Sequence, residues 1–364
     1  MSERTKLFGV AGNPVMHSKS PAMFNGLFRE KSINARYVKI ASTSPEEVMK
    51  LFTDLDFTGI NITAPFKNSM VTLIRNKSED VIKIGSLNTI VKDAHGINCY
   101  NTDHGGVTES LKKHKENLTG VKALVIGAGG AGISAAYGLV KEGADVTIVN
   151  RTVDKSEKAS ELTGASFDSM ENIQHHMGNS SIIVITLPYE APPIDISSLK
   201  KGSIILDASY KNSHYRDIAL NSGITFIDGR EWLINQAIPA CEHFLGFRPE
   251  YMDMEKSLNT NTGVKEIISL IGFMGSGKST IGKLLAESMG YEFIDSDAEI
   301  EKSIGMPVER IFTECGESAF RELEKKTLLS LKGKRKIVLS CGGGAVIDSA
   351  NREFLKTSTT CFWL

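Results

Sequence analysis

The sequence has no Cys-x-x-Cys pair, no apolar run approaching a membrane span and no surplus of either charge. Its five cysteines, Cys99, Cys241, Cys315, Cys341 and Cys361, are scattered and odd in number. That spacing argues against a disulfide framework and against structural zinc, and leaves buried, reduced thiols as the reading. A spanning helix needs roughly 20 consecutive apolar residues. Residues 1–6 are polar with no signal-peptide core behind them, so a cytoplasmic location is expected. Lys and Arg number 42 against 43 Asp and Glu, a formal net charge of -1. Without a global field, neither nucleic acid nor membrane is an expected partner, and any anion has to be bound locally. No short repeat period is present either, which excludes a solenoid.

What is present is an ordinary soluble composition, 41% hydrophobic and 23% charged with 33 glycines over 364 residues, long enough for two or three domains. In residues 1–103 short apolar strands such as residues 37–40 and 59–62 alternate with helical stretches, the pattern of an α/β lobe. Ser44, Pro45 and Glu47 form a capping-box pattern ahead of Val48, Leu51 and Phe52. A second α/β unit, residues 104–235, opens on an apolar strand that ends in glycines, and its repeated strand runs predict a parallel sheet with crossover helices. Residues 236–251 are expected to pack back onto the first lobe. Residues 252–263, polar and low in aliphatics, read as a linker. A third α/β unit fills residues 264–364. His175 and His176 fall outside every motif and read as surface residues.

The first glycine loop fits G-x-G-x-x-G at Gly127, Gly129 and Gly132, with Gly130 and Ala131 between them, directly after a strand and before a helical stretch. Glycines there let the backbone amides and a helix N-terminus approach a pyrophosphate. The following strand ends at Asn150-Arg151-Thr152, where an NAD site would carry an acid on the ribose diol. An arginine with no acid beside it favours a 2′-phosphate, hence NADP over NAD.

Polar clusters punctuate the first lobe. Ser18 and Ser20, two residues apart before Pro21, direct two hydroxyls to one side and are suited to a carboxylate. Residues 61–67 end a strand in a Pro turn that presents Lys67, and Gly85-x-x-Asn88-Thr89 and Asn101-Thr102-Asp103 lie where the chain crosses into the second unit, a usual place for a cleft. Taken singly, the serines read first as a Ser/Pro turn and the lysine as solvated surface.

Taken as a set, Ser18-x-Ser20-Pro21, Asn61-x-Thr63-x-Pro65-x-Lys67, Gly85-x-x-Asn88-Thr89, Asn101-Thr102-Asp103, the Gly127 loop and Asn150-Arg151-Thr152 closely resemble the shikimate dehydrogenases over residues 5–250. The resemblance implies a two-lobed α/β enzyme with a Rossmann NADP-binding lobe, reducing the ketone of 3-dehydroshikimate with NADPH in chorismate biosynthesis. It puts Ser18 and Ser20 on the substrate carboxylate, with Asn61, Thr63, Asn88, Tyr210 and Gln236 also on the substrate. Lys67 and Asp103 would be the catalytic pair, and Gly127, Gly129, Gly130, Ala131, Gly132, Asn150, Arg151 and Thr152 the cofactor site. The sequence departs from the family pattern at Ser86, where Ala is usual, at residues 185–190, which lack the usual Asn start and Gly-Met end, and at Lys211-Asn212 in place of a Pro region.

A second glycine loop runs from Gly272 through Gly275, Ser276, Gly277, Lys278, Ser279 and Thr280, a complete G-x-x-x-x-G-K-[ST] after a strand. Its amides suit phosphates, its lysine the outer ones, and Ser279 a Mg²⁺ ion. With Asp295-Ser296-Asp297, Gly316-Glu317, Phe320-Arg321-x-x-Glu324 and Gly342-Gly343-Gly344, it resembles the shikimate kinases. That resemblance implies ATP with Mg²⁺ as cofactors, the metal at Ser279 and Asp295, and shikimate at Asp297, Arg321 and Gly343. The match covers the first part of the kinase fold, so a partial kinase domain is expected, lacking its lid. The chain would then be a fragment, or a separate polypeptide would complete it. Two alternatives remain at this point: a quinate/shikimate oxidoreductase using NAD, and a P-loop module that binds nucleotide without turnover. The sequence sets no oligomeric state.

Overall fold

The structure, a computed structural model, describes residues 4–209, 213–259 and 265–364. The chain divides into two compact units, Met1–Thr260 and Asn261–Leu364. The first unit begins with β1 (Lys6–Gly12), α1 (Ser20–Glu30), β2 (Ala35–Ala41), α2 (Pro45–Asp54) and β3 (Gly59–Ile62). It continues through β4 (Asn76–Lys77), α3 (Glu79–Ile84), β5 (Thr89–Asp93) and β6 (Gly96–Tyr100). These strands form one sheet in the order β2-β1-β3-β5-β6-β4. Its β2, β1 and β3 are parallel, whereas β5 runs against both β3 and β6. At the start of α2 the Ser44 hydroxyl accepts from the Glu47 amide. The Glu47 carboxylate reaches back to the Thr43 amide and the Ser42 hydroxyl, one residue earlier than the capping-box pattern predicts.

A second lobe of the same unit follows: α4 (Asp103–Lys112), β7 (Lys122–Ile126), α5 (Gly130–Lys141), β8 (Asp145–Asn150), α6 (Val153–Thr163), β9 (Ser166–Ser169), α7 (Ile173–Asn179), β10 (Ile182–Ile185), β11 (Ile204–Asp207), α8 (Arg216–Asn221) and β12 (Thr225–Asp228). The sheet is parallel throughout, ordered β12-β11-β10-β7-β8-β9. Strand order reverses beside β7, so a crevice opens at the carboxyl ends of β7 and β10, where parallel sheets bind their ligands. Both faces are covered, and β10 and β11 are accordingly buried along their whole length.

Helix α9 (Gly229–Leu245) carries the chain back to the first lobe, where Phe244 packs against Phe8 and Phe24 with ring centroids 5.0 and 5.8 Å apart. The stretch read as a linker is not one over its first part. Tyr251–Asn259 forms α10, packed on α1, with Met254 fully buried and Ser257 against Gly26. Of its four apolar residues, Tyr251, Met254 and Leu258 fall at helical spacing and make a single stripe on the core, while Met252 is exposed. Residues 260–263 of that stretch lie outside the described residues.

The second unit holds β13 (Ile267–Ile271), α11 (Lys278–Met289), β14 (Glu292–Asp295), α12 (Ser296–Ile304), α13 (Val308–Ser330), β15 (Ile337–Ser340), α14 (Ser349–Ser358) and β16 (Thr360–Trp363). Its parallel sheet is ordered β14-β15-β13-β16. Helix α13 is broken at Gly316, whose φ of 84° belongs to the left-handed region that a side chain disfavours. Cys99, Cys241 and Cys341 are buried, but Cys315, beside that break, and Cys361 are exposed, so the reading of interior thiols holds for three of the five positions. His176 is not a free surface residue: its Nε2 lies 2.7 Å from Asp168 Oδ2. Among the described residues no helix is long and apolar enough to cross a membrane.

Candidate active site

The first-unit site forms where loops from both lobes meet. Ser18 precedes α1 and Ser20 begins it, Asn61 is the next-to-last residue of β3, Lys67 follows the cis Ala64–Pro65 bond, Asn88 precedes β5, and Asp103 opens α4. Together with Thr63, Ala131, Trp232 and Gln236 they line a cavity of about 210 Å³. At its centre Lys67 Nζ lies 2.6 Å from Asp103 Oδ2, the two side chains only 18% and 9% exposed. A charge-assisted contact this far from solvent holds the ammonium at one point in the pocket.

Neighbouring groups fix the aspartate. Its other oxygen accepts from Asn88 Nδ2 at 2.9 Å, its backbone N–H donates to Asn101 Oδ1, and its carbonyl accepts from Trp232 Nε1 at 3.0 Å. Asn88 Nδ2 also reaches Gln236 Oε1, which ties α9 into the site. The Lys67 carbonyl accepts from the Leu87 amide, which ties the lysine's backbone to the Asn88 segment. Trp232 and Tyr37, whose hydroxyl bonds Asn61 Oδ1, were not singled out by the sequence, because no local motif marks them. Tyr210 lies outside the described residues.

Across the cavity, the Gly127 loop joins β7 to α5. Gly127 has φ 107°, and a side chain on Gly132 would be driven into the Gly127 carbonyl oxygen. Around Gly129 a side chain would meet nothing within 4 Å, so the loop packs tightly on its own side and stays open on the other. Asn150 Oδ1 accepts from the Ala128 amide and Asn150 Nδ2 donates to the Thr152 carbonyl, bracketing the loop. Arg151 is exposed and no carboxylate pairs with it among the described residues. At the departure noted for β10, Thr186 donates to the Ile126 carbonyl and sits against Gly127. Ser86, the other departure, is fully buried beside Gly130, and its hydroxyl has no hydrogen-bond partner among the described residues.

In the second unit the loops after β13, β14 and β15 converge. Lys278, at the start of α11, donates to the Gly272 and Phe273 carbonyls at 3.0 and 2.7 Å, closing the loop that carries Gly275, Ser276 and Gly277. Ser279 Oγ donates to Asp295 Oδ2 at 2.6 Å, while Asp295 Oδ1 caps α12. Thr280 is exposed on α11. Burial, reinforced by the Asp295 charge, pushes the Asp297 carboxyl up. Arg321 is gripped by Glu317, one turn before it, and by Glu324, one turn after it. Side chains at Gly342 and Gly344 would collide with Asp297 and Arg321 respectively, and Gly343 approaches the Met274 amide. Glu324, quoted in the motif but given no role, is fully buried with one oxygen unpartnered, and burial pushes its carboxyl up against the pull of Arg321.

A parallel Rossmann sheet with a glycine loop, set against a lobe that presents a buried lysine–aspartate pair, defines a two-lobed dinucleotide-binding protein of the dehydrogenase class. Known proteins narrow this. Residues 10–90 match the family model for the shikimate dehydrogenase substrate binding domain, and residues 109–220 that for shikimate / quinate 5-dehydrogenase. Shikimate dehydrogenase (NADP(+)) of Carboxydothermus hydrogenoformans is 30% identical over 270 residues, 70% of this chain and 96% of that protein. The crystal structure of shikimate dehydrogenase from Aquifex aeolicus covers 71% of this chain and 99% of its own at 31% identity, with a TM-score of 0.66. Shikimate 5-dehydrogenase from Thermus thermophilus, solved in complex with shikimate, gives 0.64 at 26% identity over 71% of this chain and all of its own. The chain belongs to the shikimate dehydrogenase family, and residues 274–364 match the shikimate kinase family model, so a domain of that second family follows the first.

Proposed function

We propose that the first unit reduces 3-dehydroshikimate to shikimate with NADPH. The observation that carries this reading is the buried 2.6 Å contact between Lys67 and Asp103 in a cavity that also holds the Ser18 and Ser20 hydroxyls. The residues fit the cofactor: the Gly127 loop is open where a pyrophosphate would lie, and the free Arg151 suits a 2′-phosphate. Bound NADPH supplies the hydride. Ser18 and Ser20 hold the substrate carboxylate, and Asn61, Thr63, Asn88 and Gln236 face the ring. Lys67 Nζ stands ready to give a proton to the ketone oxygen as it gains negative charge, and Asp103 keeps that ammonium in line. In steady-state assays with dehydroshikimate the protein is expected to prefer NADPH to NADH. Lys67→Ala should lower kcat by about 100-fold or more while KM changes little. A Lys67→Ala enzyme with parental kcat would overturn the assignment.

In the second unit the same reasoning supports ATP phosphates on residues 275–280 and shikimate at Asp297, Arg321 and Gly343. Ser279 and Asp295 bring two hard oxygens side by side, which fits a Mg²⁺ ion that takes one or two protein oxygens beside the phosphates. The raised Asp297 carboxyl is suited to accept a proton from a substrate hydroxyl.

A further inference from the structure

Beneath the dehydrogenase pocket runs a chain of hydrogen bonds whose direction is fixed by backbone groups. The Asn88 carbonyl accepts only, so the Asn61 atom 3.2 Å from it is Nδ2. Asn61 Oδ1 therefore faces Tyr37, and the Tyr37 hydroxyl donates to it at 2.6 Å. The Thr102 amide donates only, so the Asn88 atom 2.8 Å from it is Oδ1, and Asn88 Nδ2 faces Asp103. Thr89 stands between them: it accepts from Asn61 Nδ2 at 3.0 Å and must donate to Asn88 Oδ1 at 3.0 Å. At the far end Ser18 donates to Ser20 at 3.3 Å. Every donor along the chain from Tyr37 to Asn88 thus points toward Asp103.

Tyr37 is the member that starts the chain. It is buried, stacked face to face on Phe24 at 4.5 Å, and its backbone is clamped by the Asn25 side chain in both directions. Both Asn61 Nδ2 hydrogens are engaged within the protein, so Asn61 offers the cavity only the free lone pair of Oδ1.

We propose that Tyr37 is a positioning residue for substrate: its hydroxyl holds Asn61 as a pure acceptor toward a substrate hydroxyl. The proposal rests on the dehydrogenase reading above.

Tyr37→Phe removes the hydroxyl and keeps the ring on Phe24. The expected result is a KM for shikimate raised about tenfold, with kcat and the KM for NADP little changed. Combined with Asn61→Ala, the loss should be clearly less than the product of the single effects, because both changes remove the same Tyr37–Asn61 bond. A parental KM in Tyr37→Phe, or strict additivity, would overturn the proposal. A parent protein with no shikimate-dependent turnover would instead overturn the dehydrogenase reading. An independent readout leaves the side chain in place: 3-fluorotyrosine at position 37 alone should show a shift of its fluorine resonance when shikimate is added without cofactor, and an unmoved resonance in a shikimate-binding protein would also sink the idea.

Discussion

At the scale of single residues, the costs and the functions separate cleanly. Lys67 and Asp103 pair with each other while 18% and 9% exposed, whereas the Ser86 hydroxyl nearby is fully buried and has no partner among the described residues. A buried hydroxyl without a partner forfeits its hydration, so Ser86→Ala is expected to stabilise the first unit by about 1 kcal/mol. Urea melts of parent and variant, compared at equal slope, check this, and a loss of stability would mean the hydroxyl has an unrecognised partner. The Lys67–Asp103 pair was legible in the sequence because its members lie in compact local motifs. Tyr37 was not, for a geometric reason. It lies on β2 and its partner Asn61 on β3, with β1 between them, and only the sheet order brings Tyr37, level with Phe8, near Asn61, level with Val10. Strand order is a tertiary fact that no window of residues contains.

At the scale of elements, the lobe junction of the first unit depends on ionisation. Asp80 on α3 accepts from Tyr137 and Lys141 on α5 and meets His104 on α4 at 3.1 Å. Burial lowers the His104 imidazole below its ordinary 6.5, against the opposing pull of Asp80 and Asp103 and with help from Lys141. His243, stacked on Tyr100, is lowered by burial in the same way, against the pull of Glu242. A group whose folded value lies below its unfolded one contributes fully above the unfolded value and loses that contribution as pH falls through the folded one. Unfolding free energy is therefore expected to drop as pH falls below 6.5. A His104→Gln, His243→Gln double variant should show a flatter dependence in denaturant titrations at successive pH values, and an unchanged slope would assign the loss to other groups. Elements were legible where apolar runs end in glycine, as at β7 and β13. Helix α10 escaped because the three apolar residues on its buried face are enough to cover the core, yet even with the exposed Met252 they are too few to alter the composition of a polar stretch.

At the scale of the whole chain, each site draws its groups from one unit: those around Lys67 all fall in Met1–Thr260 and those around Lys278 all fall in Asn261–Leu364. Lys278→Ala should thus weaken ATP binding by an order of magnitude or more, since it removes the cation of the phosphate loop, while dehydrogenase kinetics stay within about twofold of the parent. Calorimetry with ATP and a parallel NADPH assay test both halves, and a large fall in reductase activity would show that the sites are coupled. The uneven placement of the cysteines makes such experiments simple. Both cysteines of the first unit are buried and the two exposed ones belong to the second. Of these, Cys361 has its thiol raised by desolvation, and Cys315 lies next to the Gly316 break. A maleimide dye added to the native, unsubstituted chain would therefore decorate the kinase-type half alone, giving a single-sided optical label with which events in the reductase half can be watched from outside it.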